Sequence, residues 1–170
     1  MRNIAIAVTL ASALALSACK KEPPEQLPPP PQNVVVPTPT PTPGPQAPIP
    51  GTQQHFAQVM QGRDVIYFDT DKFDIDAEDQ AALRQQAQYL QQYTNVRATV
   101  EGHCDERGTR EYNLALGERR ANAARNYLVS LGVASDRVTT VSYGKERPVA
   151  LGSNEQAWAR NRRAVTIVLN

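Results

Sequence analysis

The sequence predicts an α+β domain over residues 53–170, in which helices cover one face of a mixed four-stranded sheet. Four segments have the apolar content or the period-two alternation of strands, and two longer segments repeat apolar residues with the period of a helix. Apart from two short helices, the order of these segments along the chain is βαβαββ. Because each helix must bury its apolar stripe, elements in this order are expected to pack as a helical layer on a sheet.

The first 18 residues have the pattern of a secretory signal peptide. Arg2 supplies a short positive region, and Ile4–Leu16 is almost wholly apolar or small. Leu-Ser-Ala then precedes Cys19, and small residues before a cysteine form the lipobox of bacterial lipoproteins. We therefore predict that Cys19 becomes the lipid-modified mature N-terminus; the alternative is an ordinary signal peptide with an incidental cysteine. Lys20 stands where an inner-membrane retention signal usually has Asp, which favours the outer membrane.

Residues 19–52 are predicted to form the lipidated N-terminus and a disordered linker rich in Pro and Thr. The segment from Lys20 to Gly51 holds 13 of the 14 prolines. Such a composition cannot build a core and favours extended polyproline II. At about 3.1 Å per residue, some 30 residues would reach on the order of 90–100 Å. A semi-rigid tether is therefore the favoured interpretation, and a ligand for an SH3-type domain is the alternative.

The domain is expected to begin with a short helix at Gln53–Met60 and a first strand at Asp64–Phe68. A polar loop follows over residues 69–75, and its acidic residues raise the alternative of a calcium loop: they are Asp69, Asp71 and Asp74. The EF-hand pattern also requires a Gly and a distal Glu at set positions, which are missing here. We therefore predict no metal site.

The first long helix is predicted to begin after Asp76, a good N-cap residue, and to run to about Gln92. Its apolar stripe consists of Leu83, Ala87 and Leu90. The second strand is predicted at Val96–Glu101, where apolar and polar residues alternate, and is expected to break at Gly102.

The second long helix is predicted to begin at about Thr109 or Glu111 and to run to Leu131, with Gly132 as its stop signal. Its expected core stripe is Leu114, Ala121, Ala124, Leu128 and Leu131. The remaining predicted elements are a strand at Arg137–Tyr143, a loop at Gly144–Gly152, a short helix at Asn154–Asn161 and a last strand at Arg163–Leu169.

Charged side chains of both signs cluster between the second strand and the second long helix. Ligand sites in open α/β sheets usually lie at such carboxyl ends of strands. Asp105 lies in the turn, and Arg120 flanks the buried stripe of the helix, from which it could lean toward the turn. An anion and a cation facing one cleft suit a zwitterionic ligand, and arginine offers a carboxylate a two-pronged donor. The alternative is a structural ion pair between the two residues.

Charge and composition argue against other functions. Three of the 18 lysines and arginines and two of the 17 acidic residues precede residue 54, so 15 of each sign remain and no bulk field favours nucleic acid. His103 and Cys104 are neighbours in an extended segment, so they point to opposite faces and cannot form a catalytic dyad. A zinc site needs three or four ligands, and the only other histidine is His55. We expect Cys104 to be packed rather than reactive, and we predict neither an enzyme nor a cofactor.

A long motif with fixed spacing covers this region. It reads Glu-Gly-His-x-Asp-x-x-Gly-Thr from Glu101, then Tyr112-Asn113, then Leu-Gly-x-Arg-Arg-Ala ending at Ala121. Together with Val141–Glu146 and Asn161–Ala164, it resembles the signature of the OmpA-like peptidoglycan-binding domain family, and the resemblance extends from about Asp64 to Asn170. One departure is Cys104, where many members carry Thr or Ala.

The resemblance implies a ligand and a set of site residues. The ligand is meso-diaminopimelate of the cell wall, whose side chain ends in one ammonium and one carboxylate on the same carbon. Asp105 would accept from the ammonium and Arg120 would bind the carboxylate. The other residues expected at the site are Gly108 and Thr109 at the helix N-terminus, Phe68 and Asp69 in the loop after the first strand, and Arg107, Leu116, Asn161 and Arg162. The sequence leaves open whether Arg162 or Arg163 lines the site.

The resemblance is strongest to lipid-anchored members of the family, which implies a location and partners. It implies an outer-membrane lipoprotein on the periplasmic face that binds peptidoglycan without catalysis, and a role in cell division. It also implies membership of the Tol system, with TolB as a partner. Two alternatives stay open: a protein-interaction module that does not bind the wall, and a cell-wall hydrolase.

Overall fold

The computed structural model describes residues 47–169. The predicted signal peptide, the lipidation site at Cys19 and nearly all of the Pro-rich segment lie outside these residues. The helices are α1 (Gln53–Met60), α2 (Ala77–Gln92), α3 (Arg110–Ser130) and α4 (Glu155–Asn161), and a short 3-10 turn spans Ser135–Arg137. The strands are β1 (Val65–Tyr67), β2 (Arg97–His103), β3 (Val138–Gly144) and β4 (Arg163–Leu169).

The four strands form one mixed sheet in the order β1-β4-β2-β3. β2 pairs in parallel with β3, and β4 is antiparallel to both β1 and β2. The last strand of the chain is therefore inserted between the first two. The predicted fold class, an α+β domain with a mixed four-stranded sheet, is confirmed.

The core lies between this sheet and the helices. Alternate residues of the central strands, such as Val100 in β2 and Val168 in β4, are buried in it. The α2 stripe of Leu83, Ala87 and Leu90 is buried as predicted. In α3, the predicted residues Ala121, Ala124 and Leu128 are buried, whereas Leu114 and Leu131 are only half-buried. The helical period therefore predicts the middle of the α3 stripe correctly, but not its ends.

The helix caps follow local sequence chemistry. Asp76 caps α2 as predicted, because its carboxylate accepts a hydrogen bond from the Asp79 N–H at 2.8 Å. The Asp79 carboxylate does not accept a hydrogen bond from the backbone N–H of Asp76, as it would in a capping box. It accepts from the Tyr67 N–H at 3.2 Å and so ties the start of α2 to the end of β1.

The predicted bounds of three strands were wrong. β1 is three residues long rather than five, and β3 begins one residue later and ends one residue later than predicted. The largest error concerns β2, which does not break at Gly102 but continues to His103. Gly102 pairs with residues of both β3 and β4, with an irregularity in the β3 register immediately after it. These partners are distant in sequence, so the local pattern at Gly102 indicates a turn although the sheet continues.

Gly102 also allows β2 and α3 to approach closely. A Cβ atom on Gly102 would overlap the backbone carbonyl of Gly117 in α3, and one on Gly117 would overlap the Ser142 hydroxyl of β3. Backbone therefore packs on backbone at this crossing, with no side chain between strand and helix. The contact brings the end of β2 and the first turns of α3 together, and these are the two elements that carry the candidate site.

Neither a membrane span nor a metal site occurs in the described region. No helix within residues 47–169 is long and apolar enough to cross a membrane. The same residues contain no group of three or more His, Cys, Asp or Glu side chains placed to hold a metal ion.

Candidate functional site

A cavity of about 270 Å³ lies at the end of β2, where residues 104–109 turn into α3. Both Asp105 and Arg120 line it, together with three further residues of the predicted set, Arg107, Gly108 and Leu116. The loop of residues 69–72 forms the opposite wall through Thr70 and Asp71. The fold therefore brings the two principal predicted residues into one cleft.

Asp105 is a buried carboxylate that already has cationic partners. The Arg107 guanidinium binds both of its oxygens, with Nη2 at 2.6 Å from Oδ2 and Nε at 3.0 Å from Oδ1. Arg162 Nη1 approaches Oδ2 at 3.5 Å. Burial alone would raise the pKa of Asp105, but the hydrogen bonds and charge of Arg107, with a further bond from Arg162, hold that pKa below its ordinary value. The carboxylate is therefore charged at neutral pH.

Arg120 is fully buried, and backbone carbonyls hold its guanidinium. Nε donates to Lys72 O at 2.8 Å, Nη1 to His103 O at 2.8 Å and Nη2 to Asp69 O at 3.0 Å. Burial lowers the pKa of Arg120, yet the group stays charged because arginine does not lose its proton in proteins. Three of its five N–H groups are used in this way.

The structure does not contain the ion pair that the sequence left as an alternative. Within residues 47–169, Asp105 forms salt bridges with Arg107 and Arg162 and none with Arg120. Arg120 instead holds two segments in place, the end of β2 through His103 O and the loop through Asp69 O and Lys72 O. The cavity thus contains a buried anion and a separately held buried cation.

Two hydrogen bonds cross the mouth of the cavity from the turn and α3 to the opposite loop. Arg107 Nη2 donates to the Thr70 hydroxyl at 3.2 Å, and the Tyr112 hydroxyl donates to Asp71 at 3.1 Å. All four of these residues lie at the surface, and the Arg107 side chain is 39% exposed. The cavity mouth is therefore closed by hydrogen bonds between exposed residues, whereas the Arg120 side chain, which also lines the cavity, is fully buried.

The start of α3 is organised as the motif predicts. Thr109 is the N-cap, and its hydroxyl accepts from the Tyr112 N–H at 3.2 Å. Gly108 has φ +83°, a left-handed conformation that favours glycine. The Asn113 amide donates to the carbonyls of Arg107 and Thr109 at 2.7 and 2.9 Å, which fixes the turn against the helix.

Five of the predicted residues do not line this cavity, and one of them is the N-cap Thr109. Phe68 and Asp69 line a second cavity of about 500 Å³ beside the same loop, and the Phe68 ring also lies 5.2 Å from the Arg120 guanidinium. Arg162 lines this second cavity while also reaching Asp105. Asn161 lies away from both and holds the loop at Val149 and Ala150 through its amide. We place the candidate site in the smaller cavity because Asp105 and Arg120 converge there.

Arg162 and Arg163 are adjacent in sequence, but their side chains make different contacts. Arg162 Nε donates to Phe68 O at 3.0 Å, and its Nη2 pairs with Glu155 at 2.7 Å. Arg163 turns away and donates to the carbonyls of Asn161 and Arg147. Arg162 is therefore the one that adjoins the candidate site.

Comparison with known proteins identifies the family of this chain. A family model described as the OmpA family matches residues 67–162, more than half of the 170-residue chain. The chain belongs to the OmpA family. The predicted family is thereby confirmed.

Several relatives of this OmpA-family chain share a name. A protein named peptidoglycan-associated lipoprotein from Rhizobium meliloti is 56% identical over 122 residues, which cover 72% of this chain and 68% of the relative. A protein of the same name from Agrobacterium fabrum is 48% identical over 163 residues, covering 96% and 85%. Among solved structures, the peptidoglycan-associated lipoprotein from Burkholderia pseudomallei is 48% identical with a TM-score of 0.61, covering 62% of this chain and 89% of that one.

His103 and Cys104 of this OmpA-family domain lie on opposite sides of the strand end, as predicted. The Cys104 thiol lines the cavity and donates to Asn113 O at 3.3 Å, and burial raises its pKa to about 11, so it is neutral and unreactive. His103 is 2% exposed and stacks on Tyr143. Burial, with the charges of Arg163 and Arg147, lowers the pKa of His103 to about 4, although a Glu101 carboxylate oxygen lies 3.5 Å from Nε2. The His103 ring is therefore covered and uncharged at neutral pH.

Several residues at the candidate site had no predicted role. Trp158 lies under the Arg107 guanidinium at 4.2 Å, and its indole N–H donates to Glu106 at 3.0 Å. Tyr112 and Asn113 stand in the motif, yet only the structure shows what they bind. One signal was available for Trp158, because it lies in the last helix only four residues before Arg162.

Proposed function

We propose that this protein is an outer-membrane lipoprotein that binds peptidoglycan non-covalently through meso-diaminopimelate and so tethers the membrane to the cell wall. The observation that carries the proposal is the pair of separately held buried charges, Asp105 and Arg120, in one cavity of an OmpA-family domain. Its relatives that are named peptidoglycan-associated lipoprotein support the same function.

The geometry suits a group that carries both charges on one carbon. Asp105 accepts from the ligand ammonium, and the two unused N–H groups of Arg120 bind the ligand carboxylate. Charge-assisted hydrogen bonds of this kind are about twice as strong as neutral ones. A ligand with both groups therefore leaves neither buried charge without a partner.

The proposal is tested by sedimentation with purified sacculi. The full-length chain, purified in detergent, is expected to sediment with sacculi whose wall contains diaminopimelate. A soluble diaminopimelate stem peptide is expected to release it by competition. Sedimentation that this peptide cannot compete would contradict recognition through diaminopimelate. Capture of TolB without binding to sacculi would support a protein-interaction module instead, and release of soluble wall fragments would reveal a hydrolase.

We further propose that Cys19 carries the lipid anchor and that the Pro-rich segment provides the reach from membrane to wall. One acyl chain holds a protein only reversibly, whereas two or more hold it stably. A role in cell division within the Tol system, with TolB as a partner, belongs to the same proposal. Its basis is the resemblance to lipid-anchored members of the family.

Replacing Cys19 by serine is expected to abolish the incorporation of radiolabelled palmitate and to remove the protein from the outer-membrane fraction. The thioether link to lipid requires the cysteine sulfur, which serine lacks. Cys104→Ser serves as the matched control, because that thiol lies buried within the domain. Normal fractionation of the Cys19→Ser protein would refute the anchor.

A further inference from the structure

We propose that Arg107 determines the selectivity of this site, because its guanidinium occupies the position at Asp105 that a ligand ammonium must take. The inference rests on the proposed function and adds to it a residue that disfavours ligands with an ammonium but no carboxylate. Arg107 was expected at the site, but neither its pairing with Asp105 nor this role follows from the sequence.

Arg107 and Arg120 line the cavity and Arg162 adjoins it, and the three side chains differ in their freedom to move. Arg120 is fully buried, and the Arg162 side chain is 7% exposed and also bound to Glu155. The Arg107 side chain is 39% exposed, yet it makes both short contacts to the Asp105 carboxylate. Arg107 is therefore the partner of Asp105 that a ligand can displace.

Asp105 does not depend on the Arg107 side chain for its position. The backbone N–H of Arg107 donates to Asp105 Oδ1 at 3.1 Å, and Arg162 remains at 3.5 Å from Oδ2. When the guanidinium leaves, these two contacts keep the carboxylate aimed into the cavity. The oxygens released by Nε and Nη2 are then free to accept from an ammonium.

A displaced Arg107 guanidinium has a place to go at the mouth. Its Nη2 already contacts the Thr70 hydroxyl at 3.2 Å, and the Trp158 ring lies 4.2 Å beneath it. From this position it can pair with a carboxylate that enters next to the ammonium. A zwitterionic ligand therefore breaks the ion pair between Arg107 and Asp105 but supplies a carboxylate to which Arg107 can bind. A lysine side chain breaks the same ion pair and has no carboxylate to replace it.

The test compares Arg107→Gln with the wild-type chain in calorimetric titrations, using full-length protein in detergent. The two probes are stem peptides that differ only in having diaminopimelate or lysine at the third position. Removing Arg107 is expected to tighten binding of the lysine peptide about tenfold and to change binding of the diaminopimelate peptide less than threefold. Arg110→Gln is the matched control and should bind as wild type, because Arg110 pairs with Glu146 on the surface outside the cavity.

Trp158 provides a second readout, because it is the only tryptophan in the chain. Movement of the guanidinium across its ring, away from Asp105 and toward the mouth, is expected to change the indole fluorescence when the diaminopimelate peptide binds to the wild type. The same change is expected in Arg110→Gln, and little change in Arg107→Gln.

The outcomes separate this inference from the proposed function. Weaker binding of both peptides by Arg107→Gln would make Arg107 an ordinary ligand contact and overturn the selectivity role. Unchanged affinities for both peptides would overturn it as well. If the wild type binds neither peptide, the proposed function fails and this inference fails with it.

Discussion

Substitution of Arg120 by alanine is expected to weaken binding of a diaminopimelate stem peptide by roughly thirty-fold or more and to remove most of the preference over a lysine stem peptide. Truncating one partner of a buried, hydrogen-bonded charge pair costs about 2–5 kcal/mol. Each 1.4 kcal/mol corresponds to about tenfold in affinity. The lysine peptide lacks the carboxylate that Arg120 binds, so its affinity should fall much less. Calorimetric titration of the full-length chain with both peptides measures the two affinities.

The contacts of Arg120 require a structural control, because its loss also frees the loop at Asp69 and Lys72. Arg125 lies on the same helix and holds the carbonyls of Val138 and Ser135 at 2.8 and 3.0 Å, away from the cavity. Arg125→Ala should therefore lose comparable backbone contacts without changing peptide selectivity. Asp105→Asn should weaken binding of both peptides. Equal affinity of the wild type for the two peptides would contradict the two-charge mechanism.

Substitution of Gly102 by alanine is expected to destabilise the domain by more than about 3 kcal/mol, the upper part of the range for overpacking. The added Cβ overlaps the Gly117 carbonyl, which is helix backbone and cannot rotate away as a side chain can. Strand and helix must separate, and the cavity between them must distort. Because native domains are stable by only about 5–15 kcal/mol, a loss of this size should lower the Tm by roughly 10–20 °C. Thermal unfolding followed by circular dichroism measures it.

Gly62→Ala separates this steric effect from the general cost of replacing a glycine. Gly62 has φ +90°, but nothing lies within 4 Å of its added Cβ. The backbone strain at that position is expected to cost about 1 kcal/mol. A Gly102→Ala variant no less stable than Gly62→Ala would show that strand and helix can move apart at little cost.

Local patterns in the sequence predicted most of the secondary structure. The bounds of α1 and β4 were predicted correctly, and those of α2 and α3 nearly so, because caps such as Asp76 and Thr109 act within a few residues of themselves. The end of β2 was predicted wrongly at Gly102. There the deciding partners are Ala164 and Ser142 in neighbouring strands and Gly117 in a helix, and no local pattern contains them.

For the candidate site, too, the sequence determined some features and the tertiary structure decided others. The sequence alone determined the residue types and their spacing, and hence the family and the prediction that Asp105 and Arg120 face one cleft. Only the tertiary structure decided how each is held: Asp105 by Arg107 and Arg162, and Arg120 by carbonyls 17, 48 and 51 residues away along the chain. The physical reason is that a buried charge must be satisfied by whatever group the fold places beside it. Which groups those are depends on how the sheet, α3 and the loop pack, and not on sequence separation.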